Sequence, residues 1–160
     1  MKHWPLLLGA GLACLPGTAL AETISGRVSA IVDGDTLTLV DAQHRQHQIR
    51  LAAIDAPERL QAFGEQSRSH LAALAFNQPA SASCHRRDSQ GRAICRVTVA
   101  QRDLGLEQIR AGMAWWYWQD SQILPISARQ DYEHAEFQAK IRRFGLWNSK
   151  NPVPPWEWRP

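Results

Sequence analysis

The sequence predicts a mainly β α+β fold: a five-stranded OB-type barrel with three helices packed against its outside. Three observations predict it. Five short strand-like segments lie between residues 24 and 99, a helical segment interrupts them after the third, and polar turns separate them. A non-barrel α+β sheet is the other arrangement these elements allow. At 160 residues the chain is long enough for one domain with a modest core and too short for two.

The first strand is Ile24 to Ile31 and the second Thr36 to Val40, joined across Asp33-Gly34-Asp35. The third, His47 to Ile54, follows a polar tip at Asp41 to Gln46. In it Ile49 and Leu51 alternate with Gln48 and Arg50, the period of two of a half-buried strand. Glu65 to Phe76 reads as a helix with Leu71, Leu74 and Ala75 on one side, and Pro79 stops it. Ala80 to Arg87 and Arg92 to Val99 form a hairpin around Asp88-Ser89-Gln90-Gly91, a turn composition. With those four residues as the loop, Arg87 faces Arg92 and Cys84 faces Cys95. Ala80, Ala82 and Cys84 then share an apolar face with Cys95, Val97 and Val99.

The second helix, about Leu104 to Ala111, has Asp103 as N-cap and Gly112 as its stop. The third starts at Ser127, where Ser127-Ala128-Arg129-Gln130 resembles a capping box. It ends at Gly145, with Lys140, Arg142 and Arg143 favourably placed in its final turns. Asn151 to Pro160 is an extended, proline-rich tail that Trp156 and Trp158 pin to the body.

Residues 1–21 have the pattern of a secretory signal. Lys2 and His3 form a basic start, Pro5 to Leu15 is mostly apolar, and Ala19-Leu20-Ala21 is a small-x-small cleavage site. The apolar run is shorter than the ~20 residues of a bilayer span. Gly11 stands three positions before Cys14, where a lipid-anchor signal has an aliphatic residue. The expectation is therefore simple export, periplasmic or secreted, with no membrane attachment. That leaves residues 22–150 as the domain and 151–160 as the tail. Losing Lys2 takes the 18 basic residues to 17 against 15 acidic ones, a net charge of about +2 that suits a polyanionic substrate without proving one. Two of the three cysteines remain, Cys84 and Cys95. An even count after an export signal favours a disulfide over a catalytic thiol. Size alone makes a monomer the expectation.

Chemistry concentrates at strand ends. Asp33 and Asp35 flank Gly34, and the third strand leads through Arg50 to Asp55 and Glu58. Hard cations such as Ca²⁺ take carboxylates, backbone carbonyls and waters, and Asp35 and Asp55 fit the carboxylate part. Arg50 and Arg92 are planar forks that match phosphate geometry. Taken singly, each residue has a plainer reading: aspartates as turn formers, Arg50 on a solvated face, Glu58 at the start of a helix.

Taken in order, "VDGDTLTLV", "IRLAAIDAPE", "FGEQSR", "DSQGRAICRV", "IRAGMAWWYW" and "AKIRRFGLW" resemble the successive motifs of the staphylococcal nuclease (thermonuclease) family, over about residues 25 to 148. The resemblance implies an OB-fold barrel with three helices and a Ca²⁺-dependent phosphodiesterase acting on DNA and RNA that leaves 3′-phosphate ends. It implies Asp35 and Asp55 as Ca²⁺ carboxylates and the Ala56 backbone carbonyl as a further ligand, at a position where the family often has Thr. Arg50, Glu58 and Arg92 match its catalytic arginine, glutamate and second arginine, and Asp33 matches an acid behind the ligands.

The chain departs from the family at Gln90, where an aromatic that contacts the nucleotide often precedes Gly-Arg. Tyr117 or Trp118 is the candidate stacking surface in its place. Core and rim packing is the competing reading for Trp115, Trp116 and Trp118. His44 and His47 have no Cys or His partner nearby in sequence, so hydrogen-bonded or solvated imidazoles are expected rather than zinc. Two rivals stand beside the nuclease: a catalytically inactive module of the same fold that binds nucleic acid or another partner, and a phosphodiesterase for a small molecule. Degenerate domains of the family lose the carboxylates and arginines that are all present here.

Overall fold

In a computed structural model that describes residues 21–159, the chain forms β1 (Glu22–Ile31), β2 (Thr36–Asp41), β3 (Gln46–Leu51), β4 (Ile54–Asp55), α1 (Gly64–Ala75), β5 (Pro79–Arg87), β6 (Ala93–Val99), β7 (Arg102–Asp103), α2 (Leu104–Arg110), β8 (Trp115–Trp116), α3 (Ile126–Ile141) and α4 (Pro155–Trp158). The predicted export signal lies outside the described residues apart from Ala21. No helix among the described residues is long and apolar enough to cross a membrane.

The main sheet runs β3-β2-β1-β5-β6, and β3 also pairs with β6, which closes five strands into the expected barrel. The closing seam is parallel, with Ile49 opposite Ala93 and Arg50 opposite Ile94, while the other pairings are antiparallel. Val28, Leu37, Leu39, Ile49, Leu51, Ala82 and Val97 fill the interior, each almost fully buried. Alternation works as the sequence predicts: on β5 and β6 it is Ala80, Ala82, Cys84, Cys95, Val97 and Val99 that point inward. Cys84 and Cys95 are direct partners and are bonded to each other.

Four local expectations in the barrel and the third helix are corrected. The third strand stops at Leu51, because Ala53 takes a left-handed backbone (φ 58°) and turns the chain; Ile54 and Asp55 restart as β4 and pair with β8. The β5–β6 register slips between Cys84 and Arg86, so Arg87 faces Ala93 rather than Arg92. The extra residue enlarges the turn to Asp88–Arg92, where the Asp88 carboxylate accepts hydrogen bonds from the N–H groups of Gln90 and Arg92, both 2.9 Å. Ser127 does not cap α3, which starts a residue earlier, after Pro125, with no side-chain cap. That helix also ends at Ile141 rather than Gly145. Arg143 turns left-handed (φ 56°), and the N–H groups of Arg143 and Phe144 close back on the Lys140 and Ala139 carbonyls, a Schellman arrangement.

The helices hold the barrel's rim. Asp103 caps α2 as expected, accepting from the Leu106 N–H at 3.2 Å, and also accepts from the buried Tyr132 hydroxyl at 2.7 Å and from Arg96 at 2.6 Å. One carboxylate thus ties α2, α3 and β6 together. Gly112 ends the α2 segment with φ +66°, and a Cβ there would lie 2.2 Å from the Phe144 carbonyl oxygen. The tail is not wholly extended: Pro155–Trp158 makes one helical turn. Trp156 packs against Trp115 and Tyr117 at ring separations of 5.7 and 5.6 Å.

Candidate active site

The barrel seam brings the site together. Thr36 pairs with Arg50 on β3, and Arg50 lies beside the start of β6, just after Arg92. Asp33, Asp35, Arg50, Asp55, Ala56, Glu58 and Arg92 all line one polar cleft of about 280 Å³, with Gln90 and Arg159 completing its wall.

The Asp33-Gly34-Asp35 turn is tightly built. The Asp33 carboxylate accepts from the Asp35 N–H at 3.0 Å, and the Asp35 carbonyl accepts from the Leu51 N–H at 2.7 Å. One Asp35 carboxylate oxygen accepts from the Thr36 hydroxyl and the other from the Ala56 N–H, both at 2.9 Å. Gly34 presses against α1, where an added Cβ would fall 1.9 Å from Ser67 Oγ. Behind the turn, the fully buried Gln108 donates to the Gly34 carbonyl at 2.6 Å and to Ser67. Gly34→Ala is therefore expected to push the turn off α1. Overpacking of this kind costs about 1–3 kcal/mol, and the displaced Asp35 should lower activity at least about tenfold. Thermal melts and a rate assay check both.

Asp35 and Asp55 are 6% and 2% exposed. Burial first, then the neighbouring Asp35 charge, push the Asp55 carboxyl up to about 6, against the opposing pull of Arg50 and Arg159. The same two causes push Asp33 up to about 6. Arg50 sits among acids, 3.3 Å from Asp55, 3.8 Å from Asp35 and 3.9 Å from Asp120. Burial works against its charge, but these carboxylates win and hold it above the ordinary arginine range. Arg92 is oriented by Asp88 at 2.7 Å and reaches the Thr36 hydroxyl at 3.3 Å. Glu58 follows Pro57 in the β4–α1 loop, with its carboxylate held by Arg159 at 2.6 Å.

The aromatics divide. Tyr117 is half-buried with Trp156 tilted against it at 5.6 Å, and Trp115 packs edge-on against Trp147 at 4.2 Å. Trp118 is 65% exposed, the open aromatic of the Trp115–Trp118 run. His47 hydrogen-bonds the Asp41 carboxylate at 2.8 Å, and this contact comes first among those holding Asp41 well below the usual carboxylate range.

Sequence reasoning missed Asp120, Asp88 as the partner of Arg92, Gln108 and Arg159. The four-residue spacing of Asp88 and Arg92 was a readable signal. Asp120, Gln108 and Arg159 had none, because their partners are remote in sequence.

The staphylococcal nuclease homologue family model matches residues 48–149. An "uncharacterized endonuclease" of Haemophilus influenzae is 37% identical over 133 residues, covering 83% of this chain and 71% of that protein. One of the same description from Escherichia coli is 34% identical over 144 residues, 88% of each chain. The micrococcal nuclease of Shigella flexneri is 35% identical over 143 residues, 84% of this chain and 79% of its own.

Proposed function

The chain belongs to the staphylococcal nuclease family, and from that premise we propose that it is an exported, Ca²⁺-dependent nuclease that hydrolyses the phosphodiester bonds of DNA and RNA and leaves 3′-phosphate ends. The observation that carries this reading is one cleft in which two buried carboxylates, Asp35 and Asp55, meet Arg50, Arg92 and Glu58.

The donor set fits a hard cation. Asp35 and Asp55 present oxygen alone, and both face the same Nη2 of Arg50, at 3.8 and 3.3 Å. Among the described residues no three His, Cys, Asp or Glu side chains converge into a cage. Ca²⁺ takes roughly six to eight oxygens, so the Ala56 carbonyl, water and substrate would complete the set. When bound, Ca²⁺ supplies Lewis-acid polarisation of a phosphate oxygen.

The chain's own residues do the rest. Arg50, fixed by three carboxylates, and Arg92, fixed by Asp88, are preorganised forks for the charge that builds on the phosphate oxygens in the transition state. Glu58 orients the attacking water and is the group placed to take its proton. Water adds to phosphorus, the bond to the 5′ oxygen breaks, that oxygen takes up a proton from solvent to leave as a 5′-hydroxyl, and the phosphate stays on the 3′ side. Trp118 is the more exposed surface for a base or sugar, and Tyr117 is half-buried beside Trp156. Export fits residues 1–21 and the Cys84–Cys95 bond, since disulfides persist in oxidising compartments. We read the active unit as a monomer.

The test is product chemistry. DNA and RNA oligonucleotides labelled at the 5′ end and digested with Ca²⁺ should both give fragments that lose a 3′-phosphate to phosphatase. Fragments ending in 3′-hydroxyl would contradict the reading.

A further inference from the structure

We propose that Arg159 is a positioning residue of the active site, supplied by the tail, that holds the Glu58 carboxylate for its work on water. The inference rests on the reading of Glu58 given above. It concerns a residue beyond the stretch that matches the family model, which ends at residue 149.

Glu58 needs such a partner. It lies in an irregular loop, and its side chain is 36% exposed. An exposed carboxylate on three rotatable bonds has no fixed direction unless something holds it. The other two arginines of the cleft are engaged elsewhere, Arg50 with Asp35, Asp55 and Asp120, and Arg92 with Asp88 and Thr36. Among the described residues the hydrogen bond to the Glu58 carboxylate comes from Arg159, whose Nε donates at 2.6 Å. The Nη2 of the same guanidinium donates to Asp55. One rigid, planar fork therefore spans the two carboxylates and sets Glu58 relative to Asp55.

Arg159 is itself anchored. Its N–H closes onto the Pro155 carbonyl at 3.0 Å, Pro155 is buried, and Trp156 packs on Trp115 and Tyr117. The tail grips the Glu58 loop at a second point. Gln61 accepts from the Glu58 N–H at 3.1 Å and donates to the Val153 carbonyl at 2.6 Å. Backbone and side chain of Glu58 are thus both tied to residues 153–159.

The test uses the full chain with Arg159→Ala, Arg159→Lys, Glu58→Ala and the Glu58→Ala/Arg159→Ala pair on single-stranded DNA with Ca²⁺. Misplacing a catalytic group by about an ångström costs on the order of a hundredfold. Arg159→Ala should therefore lower kcat about 10- to 100-fold with little change in KM. Arg159→Lys should recover part of it, and the loss should vanish when Glu58 is already alanine. Calorimetric Ca²⁺ affinity should not weaken, because a guanidinium on Asp55 opposes a cation there. Unchanged or raised kcat in Arg159→Ala would overturn the proposal. So would a further loss in the Glu58→Ala background, which would put Arg159 on the substrate, or a tenfold weaker Ca²⁺ affinity, which would make the tail part of the metal site. A wild-type rate for Glu58→Ala would instead remove the underlying role of Glu58, and the inference with it.

Discussion

Arg50→Ala is expected to lower kcat/KM by at least about a hundredfold, the scale of losing one preorganised donor to transition-state charge. The reason lies in how Arg50 is held. Its side chain is 12% exposed, and three carboxylates fix it within 3.9 Å. In the proposed mechanism it would meet the phosphate with little reorganisation left to make. The substitution also leaves Asp35 and Asp55 buried without that cation. Asp55, already pushed up to about 6 by burial and by Asp35, can relieve this by binding a proton. The fold should therefore survive, with a lower melting temperature at neutral pH than at pH 5. Arg92→Ala should lose a comparable amount of activity with less effect on stability, because its partner Asp88 lies in a surface turn. Arg50→Lys should not restore activity, since a point charge does not replace a planar fork. Steady-state kinetics beside thermal melts decide the matter, and near-normal rates in both alanine variants would remove the two arginines from the mechanism.

Reducing the Cys84–Cys95 bond should cost about 2–4 kcal/mol, given the short loop it closes, 11 residues apart. In a domain of this size each kilocalorie moves the melting temperature by roughly 2–8 °C, so a drop of about 10 °C is expected. The bond joins β5 to β6 beside the register slip, at the base of the hairpin that carries Arg92. Activity should therefore fall before global unfolding as the reduced protein is warmed. An unchanged melt, or two thiols titrating in the native oxidised protein, would show that the bridge is absent.

The barrel was legible because its strands obey local rules. Ile49 and Leu51 alternate with Arg50, Asp103 caps α2, and Cys84 meets Cys95 by simple counting back from a turn. Counting failed two residues further on. Asp88 uses its carboxylate to build a five-residue turn, and the slip between Cys84 and Arg86 absorbs the difference. The end of α3 was missed because Arg143 already turns left-handed and closes the helix, two residues before the left-handed Gly145. The cleft residues 33 to 92 were recognisable as ordered motifs. Arg159 was not, because its role depends on where Trp156 and Pro155 dock the tail, and docking against a distant surface leaves no periodic trace. Gln108 was hidden in the same way: a polar residue on α2 whose partners, Gly34 and Ser67, come from two other elements.

In the proposed mechanism the Asp33-Gly34-Asp35 turn and Asp55 serve a catalytic metal. The most direct measurement is cleavage of single-stranded DNA by the purified protein with Ca²⁺, with Mg²⁺ and with chelator, beside Glu58→Ala. Ca²⁺-dependent cleavage is expected, abolished by chelator and lost in the variant. A folded protein that binds DNA but never cuts it, or one that cuts equally well in chelator, would contradict it.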